Sequence, residues 1–427
     1  MDVNEFERIL QIGLGRTVIH LQNNTAPYHD ALLNACLHST VYDRQSEGSK
    51  AVYLFDCIHL MENPSFFIEQ IKQKAAIITS ETDADDVQHL LDMLTYLARN
   101  GDRDAAQLIH AIFLKTRMSD VVHGAKHIVQ LFGVRGFLFV AENLGKIMLS
   151  DASFKHSDGQ ELLGRVHYTD NRGQIDSILA EKRQDNREVD VYLTSLEYET
   201  AQTNRLKERI KQSSYAELKE IIVQNDNLWL ADWAQQTTAQ ELQEVAHDFV
   251  NTSDEKMLKA LASIFQWQPF PLAPELLFKY ADSPVNYLRN RIFSVYRKID
   301  NPIMREFASQ LIIDGRNVGE ASRILAKYFE PNDWQIYTEL FDRGLSDDDL
   351  HGLQIAVRNT AEQYPSQFAK SLLLNLYEYA PCSFCRKHIV ELLDNMSKLT
   401  EEIRQECLHD SWLETREMAQ HRFTSHN

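Results

Sequence analysis

Apolar residues recur at the spacing of an α-helix in almost every window of this 427-residue chain. One example shows the i, i+3, i+4, i+7 pattern of a single helix face at Val87, Leu90, Leu91, Leu94 and Leu97. Glycine (15) and proline (10) are scarce, and a strand-rich fold needs both in its many turns. The sequence therefore predicts an all-α protein.

Helix ends are marked as clearly as helix faces. The acidic run at 83–86 stands where the unpaired N–H groups and the dipole of a helix start favour negative charge, and Asn100-Gly101 follows as a stop signal. A second helix is predicted from about Asp104 to Lys115. Together they predict a helical hairpin.

The last third of the chain shows this pattern most regularly. Its predicted helices lie near 284–297, 302–313, 316–328, 333–343, 346–359, 366–378, 382–395, 400–409 and 411–422. Taken in pairs, they begin near 284, 316, 346 and 382, a spacing of about 30 to 36 residues, which is typical of two-helix repeats. The sequence therefore predicts a solenoid of stacked hairpins.

The joints between these helices share a pattern of a helix-capping Asp or Ser, sometimes a Pro, and an Arg one or two turns later. The Arg can pair with an Asp of its own or the neighbouring repeat. The residues predicted for this structural role are Asp282 with Arg289, Asp300 with Arg305, and Asp410 with Arg416.

The Asp-x-Pro-Val…Arg joints, followed by helices such as 305–311, resemble HEAT-type and armadillo-type repeats. The resemblance covers 282–427 and, more loosely, 84–150. It implies a curved, right-handed α-solenoid of roughly ten hairpins. The segments 35–38, 42–50 and 53–56 also resemble a stretch of bacterial HEAT-like proteins of unassigned role, which implies no activity.

Three parts are predicted along the chain. They are an N-terminal helical-repeat part over 1–150, an irregular polar insertion or hinge over 151–190, and a C-terminal helical-repeat part over 191–427. The middle segment lacks a sustained apolar stripe and contains Gly159, Gly164 and Gly173. A long polar helix is predicted at about 189–224.

The formal net charge is −18, from 44 Lys and Arg against 62 Asp and Glu. This charge works against the usual electrostatic attraction to nucleic acids. No apolar run reaches the length of a membrane span, since Val134–Val140 is broken by Arg135, and the N-terminus does not resemble a secretory signal. Five cysteines suit a reducing compartment. We therefore expect a soluble, cytoplasmic protein that does not contact a membrane.

Two short segments carry residues capable of chemistry. Cys382 and Cys385 have the spacing of a metal-binding or redox pair, and a hairpin would bring Cys407 and His409 near them to form a zinc site. The alternative is a helix whose first turn places both thiols on one buried face.

The second segment lies between residues 42 and 50. Its acids, bases and amides suit a small polar ligand or acid–base chemistry, or else a capped connection between helices. The candidate residues are Asp43, Arg44, Gln45, Glu47 and Lys50.

Three tryptophan residues are compatible with two different roles. Trp229 and Trp233, with Trp267, predict either a packed core or an exposed anchor for a partner, because Trp is frequent at interface hot spots.

A repeat scaffold contacts other macromolecules along an extended concave surface. The leading hypothesis is therefore a non-enzymatic scaffold or adaptor that binds a protein partner with a basic face. The alternative is a nucleic-acid-engaging accessory of a bacterial defence or repair assembly, using a basic stretch formed by Arg289, Arg291, Arg297, Lys298 and Arg305. A third hypothesis is an enzyme that uses the 42–50 segment.

Overall fold

The computed structural model describes residues 1–118, 122–151, 153–169 and 172–423. Within these ranges the regular structure is entirely helical, which confirms the all-α prediction. The α-helices in chain order are α1 (Val3–Ile12), α2 (Arg16–Leu21), α3 (His29–Leu37), α4 (Arg44–Glu47), α5 (Ala51–Leu60), α6 (Pro64–Ala76), α7 (Ala84–Arg99), α8 (Arg103–Thr116), α9 (Ala125–Ser150), α10 (Gly159–Thr169), α11 (Arg172–Asp185), α12 (Arg187–Gln212), α13 (Tyr215–Gln224), α14 (Ala231–Gln236), α15 (Ala239–Asn251), α16 (Glu255–Ile264), α17 (Asn286–Tyr296), α18 (Ile303–Ile313), α19 (Val318–Leu325), α20 (Asp333–Asp342), α21 (Asp347–Ala361), α22 (Gln367–Tyr379), α23 (Ser383–Asn395), α24 (Glu401–Cys407) and α25 (Leu413–Phe423). Short 3₁₀ segments lie at Ala26–Tyr28, Pro274–Tyr280 and Ala326–Tyr328.

The helices predicted after residue 284 are present with nearly the predicted bounds. Their capping chemistry explains this agreement. The Ser346 hydroxyl accepts a hydrogen bond from the Asp349 N–H at the start of α21. Earlier in the chain, the Asp83 carboxylate caps α7 in the same way by accepting from the Asp85 and Asp86 N–H groups. Short polar caps of this kind are readable from sequence because they act within three residues.

The irregular insertion predicted over 151–190 is wrong in its secondary structure, since α10 and α11 lie there. Each helix buries a narrow apolar stripe, Leu162 with Val166 and Ile175 with Leu179, while its other faces are polar. The predicted 189–224 helix is divided into α12 and α13. Ser214 begins the second helix with a capping box to Glu217.

Helix α9 is the one candidate membrane span among the described residues, by length and composition alone. Its length is not apparent from the apolar pattern of the sequence, because Arg135 interrupts its most apolar run. Half of its apolar window is buried inside the protein. The backbone of Gly133 is non-helical (φ 55°, ψ −133°) and kinks the helix.

The chain forms two compact units, which differ from the three predicted parts. Unit 1 consists of Met1–Thr200, Cys382–Lys387 and Leu399–Asn427, and unit 2 consists of Ala201–Pro381 and His388–Lys398. Both contain residues from the region expected to be the C-terminal repeat part.

In unit 1 the first helices contact the last ones directly. The Ser411 N–H donates to the Gly13 carbonyl at 2.9 Å, and the buried Arg386 guanidinium donates to the same oxygen at 3.1 Å. A side chain at Gly15 would overlap the Glu406 backbone, because its Cβ would lie 1.8 Å from the Glu406 carbonyl oxygen. These contacts bring together residues that lie at opposite ends of the sequence.

In unit 2 a contact between a lysine ammonium and a backbone carbonyl recurs at nearly the same sequence separation. The Lys279 ammonium donates to the Val250 carbonyl 29 residues earlier, and the Lys327 ammonium to the Ile299 carbonyl 28 residues earlier. In each case the following tyrosine hydroxyl, of Tyr280 or Tyr328, donates to a carbonyl at the same place. A cation close to the carbonyl end of a helix is favourable, because that end carries partial negative charge.

Helices of unit 2 also contact the second helix along as well as the next one. Such pairs include α14 with α16, α19 with α21 and α20 with α22. At α19 and α21 two glycines permit the close approach, since a Cβ at Gly352 would lie 2.4 Å from the Cα of Gly319.

Candidate binding surface

Two tryptophan rings of unit 2 lie on the protein surface in contact with each other. Trp229 is 55% exposed and Trp267 is 46% exposed. Their ring centroids are 5.7 Å apart in an edge-to-face arrangement. Trp233 is instead buried, with its indole N–H donating to the Ser213 carbonyl at 2.8 Å. The three residues therefore divide between the two predicted roles, one in the core and two at the surface.

Local structure explains this division. Trp233 lies within α14, whereas Trp229 lies in the connection between α13 and α14. Trp267 lies just after α16, where its N–H continues the helix by donating to the Ile264 carbonyl at 2.9 Å. The spacing of four between the first two tryptophans is therefore not a helical face.

A groove lies beside the connection that carries Trp229, since Leu228, the residue before it, is part of the groove lining. It has a volume of about 470 Å³ and lies between the connection after α13 and the exposed side of α16, with Tyr287 of α17 in its wall. Its apolar lining comes from Ile222, Leu228 and Ala260. The groove provides space for a side chain beside exposed aromatic rings.

Three cations border the rings of Trp267 and Tyr287, and one of them, Lys259 at 5.9 Å from the centre of the Tyr287 ring, is paired with Glu255. The Lys298 ammonium lies 5.9 Å from the centre of the Trp267 ring, and the Arg291 guanidinium lies 4.9 Å from the centre of the Tyr287 ring. Arg291 donates to the Gln266 side chain and to the Tyr287 hydroxyl, and Lys298 donates to the Gln266 carbonyl. All these acceptors are neutral. We call Trp229, Trp267, Tyr287, Arg291 and Lys298 the Trp surface.

Other members of the predicted basic stretch have acidic or backbone partners. Arg297 pairs with Glu320, and Arg305 pairs with Asp333 at 2.7 Å. Arg289 donates to the Ser283 carbonyl at 3.1 Å. The stretch therefore does not present five unneutralised cations.

The predicted repeat joints follow the expected chemistry only in part. Arg305 reaches an Asp 28 residues along the chain, in the next helical pair. Asp282 pairs with Arg316 at 2.5 Å, in the connection before α19, and Asp300 lies 3.6 Å from Lys327 of the last 3₁₀ segment, so these two acids also meet basic residues later in the chain.

In unit 1, the 42–50 segment forms a structural connection. The Asp43 carboxylate caps the short helix α4 by accepting from the Gln45 N–H at 3.0 Å. Arg44 pairs with Asp85 and Asp92, both at 3.2 Å. Gln45 is exposed and contributes its N–H to the cap.

Glu47 and Lys50 are buried and fully engaged. The Glu47 carboxylate accepts from the Ser383 N–H at 2.6 Å and from the Ser383 hydroxyl at 2.7 Å, while the Lys50 ammonium donates to the Gln11 and Thr40 carbonyls at 2.6 and 2.7 Å. Burial lowers the pKa of Lys50 to about 8. Burial alone would raise the pKa of Glu47, but the nearby Lys50 charge and the hydrogen bonds from Ser383 and Asp43 outweigh it and lower that pKa. These groups hold the fold of unit 1 together.

Asp410 and Arg416 also act within unit 1. Asp410 forms a fully buried ion pair with Arg386 at 2.9 Å, and Arg416 pairs with Asp56 at 2.6 Å. The buried role of Arg386 is not apparent from the sequence. A buried arginine at one position of a helix has no local signature, because its partner is 24 residues away.

The set predicted for zinc is assembled only in part, since the Cys382 and Cys385 thiols lie within 4.8 Å of each other. All five cysteines are buried thiols. Among the described residues, neither Cys407 nor His409 belongs to a group of three or more ligand atoms within 4.8 Å of one another. Burial raises the pKa of Cys407 well above its usual range, so this thiol stays protonated.

Unit 1 contains a second cavity, of about 420 Å³, beside the 42–50 segment. Its three carboxylates already have partners. Asp92 pairs with Arg44, Glu414 with Lys387 at 2.8 Å, and Glu47 with Ser383. The carboxylates of this cavity are therefore engaged within the fold of unit 1.

In comparisons with known protein families, with curated proteins and with solved structures, nothing matches this chain.

Proposed function

We propose that the protein is a non-enzymatic helical-repeat scaffold that binds a protein partner through the Trp surface. The observation that carries the proposal is the pair of half-exposed, mutually contacting indoles, Trp229 and Trp267. Exposure of a large aromatic side chain to water is unfavourable. Burial of that side chain against a partner therefore contributes favourable free energy to binding.

The size of this contribution follows from the exposed area. A tryptophan buries roughly 150–250 Å² when fully enclosed, so a half-exposed ring leaves on the order of 100 Å² for a partner to cover. At about 25 cal/mol per Å², each ring would contribute about 2.5 kcal/mol to binding. Two such rings are sufficient for an interface hot spot.

The α-solenoid arrangement is part of the proposal. Recurrent Lys-to-carbonyl contacts across 28 and 29 residues, and helices that contact their second neighbours, are expected where successive hairpins stack in one direction. The support comes from unit 2, whereas the contacts between chain ends in unit 1 are not expected of a simple linear stack.

The charge of the protein bears on the rest of the partner. A net charge of −18 attracts a basic face over a Debye length of about 8–10 Å, so we propose a partner with basic surface around the contact. Association should weaken with added salt.

Nucleic acid is less well supported as the partner. Exposed rings beside two cations could stack on bases, but Arg297 and Arg305 are already paired with carboxylates. A gel shift with single-stranded DNA at low salt tests this alternative.

Capture with chemical cross-linking and mass spectrometry tests the proposal. The full chain and a Trp229→Ala/Trp267→Ala variant serve as baits in native lysate, with Tyr168→Ala as the control because Tyr168 is 93% exposed in unit 1. We expect a partner that cross-links near residues 225–229 and 266–268 and is lost only with the tryptophan variant. A partner retained by that variant, with cross-links elsewhere, would contradict the proposal.

A further inference from the structure

The cations of the Trp surface retain hydrogen-bonding capacity. A lysine ammonium has three N–H donors and an arginine guanidinium has five. Lys298 uses one donor on the Gln266 carbonyl, and Arg291 directs donors to the Gln266 side chain and the Tyr287 hydroxyl. Both therefore keep N–H groups that can donate to an incoming anion.

Charge is distributed unevenly around the groove. Lys256 pairs with Asp226 at 2.9 Å and Lys259 pairs with Glu255 at 2.5 Å. The groove lining is thus close to neutral, whereas no carboxylate of the described residues forms an ion pair with Arg291 or Lys298. Positive charge is concentrated beside Tyr287 and Trp267, at the edge of a groove whose lining combines Leu228 and Ala260 with polar side chains.

We infer that the Trp surface binds a short peptide segment that carries a large apolar side chain next to one or two carboxylates. The apolar side chain enters the groove against Leu228 and Ala260, and the carboxylate accepts hydrogen bonds from Arg291 and Lys298. This inference rests on the proposed function and specifies the chemistry of the segment that makes contact.

Two features favour an acidic peptide over a nucleic-acid strand. The rings of Trp229 and Trp267 meet edge to face, with an interplanar angle of 64°, so they do not leave a parallel slot between them for a base. The cations are also few, whereas single strands are bound by grooves that follow a row of phosphates. A peptide carboxylate needs only one bidentate or paired donor site.

The acidic contact is compatible with a net charge of −18 because it is short-ranged. Beyond a Debye length the acidic surface acts on the whole partner, and within the groove the two cations act on one or two carboxylates. A partner with a basic face and one acidic contact segment satisfies both requirements.

Selection from a phage-displayed library of random 12-residue peptides tests the inference, with the full chain as bait. We expect enriched peptides to combine Leu, Phe or Trp with a neighbouring Asp or Glu. Synthetic peptides are then measured by the change in tryptophan fluorescence, beside a 12-nucleotide oligo-dT. The best acidic peptide should bind at least tenfold more tightly than its Lys-for-Glu counterpart and than oligo-dT.

Charge reversal supplies the matched controls. Arg291→Glu/Lys298→Glu, and Lys298→Glu alone in case the double change perturbs folding, should each weaken the acidic peptide at least tenfold. Lys207→Glu, an exposed lysine of α12 in the same unit, should leave binding within twofold.

The outcomes separate this inference from the proposed function. Enriched basic or uncharged peptides, or tighter oligo-dT binding, would overturn the acidic-peptide inference even if a captured protein partner still depends on Trp229 and Trp267. No enrichment relative to the Trp229→Ala/Trp267→Ala bait would overturn it as well. A partner that the Trp229→Ala/Trp267→Ala variant still captures, although that variant no longer binds the acidic peptide, would instead contradict the proposed function alone.

Discussion

Replacing Gly15 with alanine should destabilise unit 1 more than the addition of one methyl group suggests. Gly15 directly precedes α2 and has an ordinary backbone conformation (φ −63°), so alanine meets no backbone strain there. The difficulty is steric, since the new Cβ would lie 1.8 Å from the Glu406 carbonyl oxygen and 2.9 Å from the His409 carbonyl carbon. Backbone cannot rotate away as a flexible side chain can.

The magnitude follows from the movement required. An ordinary contact of about 3.4 Å means that the two backbone segments must separate by about 1.6 Å. That movement would stretch the Ser411 N–H to Gly13 carbonyl bond (2.9 Å) and the Arg16–Glu406 pair (2.7 Å). Overpacking costs about 1–3 kcal/mol and a weakened hydrogen bond about 1 kcal/mol, so we expect a loss of about 2–4 kcal/mol. The melting temperature should fall by about 4–15 °C.

Gly164→Ala is the matched control in the same unit. Gly164 lies in α10 with nothing within 4 Å of a new Cβ, so alanine should stabilise that helix by up to about 1 kcal/mol. Calorimetry measures both melting temperatures, and hydrogen exchange across Glu401–Cys407 locates the loosening. Equal melting temperatures for the two variants would refute the close packing between the chain ends.

Two buried titratable side chains and one tyrosine give three further predictions about stability. Because the pKa of Lys50 in the folded protein is about 8, below the ordinary 10.5, the unfolded chain binds more protons between these values. The wild type should therefore gain stability relative to Lys50→Met as pH rises from 8 to 10.5, and urea unfolding that shows the opposite trend would disprove the burial of Lys50. Burial lowers the pKa of His89 to about 4, so the wild type should lose stability relative to His89→Gln as pH falls from 6.5 to 4; parallel pH profiles would contradict this. Tyr328→Phe removes a hydroxyl that donates to the Ile299 carbonyl at 2.6 Å and accepts from the Asn301 N–H at 3.1 Å, and should lower the free energy of unfolding by about 1–2 kcal/mol, whereas the exposed Tyr168→Phe should have no measurable effect.

Sequence predicted the features of this fold that depend on near neighbours. The apolar stripe from Val87 to Leu97 and the Asp83 cap act within one or two turns, and α7 lies where they placed it. The narrow stripe at Leu162 and Val166 was overlooked because its flanking residues are polar. The Ser214–Glu217 capping box also acts within three residues and could have located the break between α12 and α13.

Contacts between residues that are distant in the chain could not be predicted from local sequence patterns. Arg386 meets the Gly13 carbonyl across 373 residues, and no local pattern at either position signals that contact. The 42–50 segment had the residue types of a reactive site, but only the structure shows that Glu47 and Lys50 have internal partners. The exposure of Trp229 depends on α14 beginning at Ala231, two residues too late to include it.

Hydrogen–deuterium exchange of the full chain with and without a captured partner tests the central claim most directly. We expect slower exchange on binding at residues 222–229 and 263–268, the backbone that carries the groove and the two exposed tryptophans. Protection confined to other segments, with these residues exchanging as in the unbound protein, would show that the Trp surface is not the binding site.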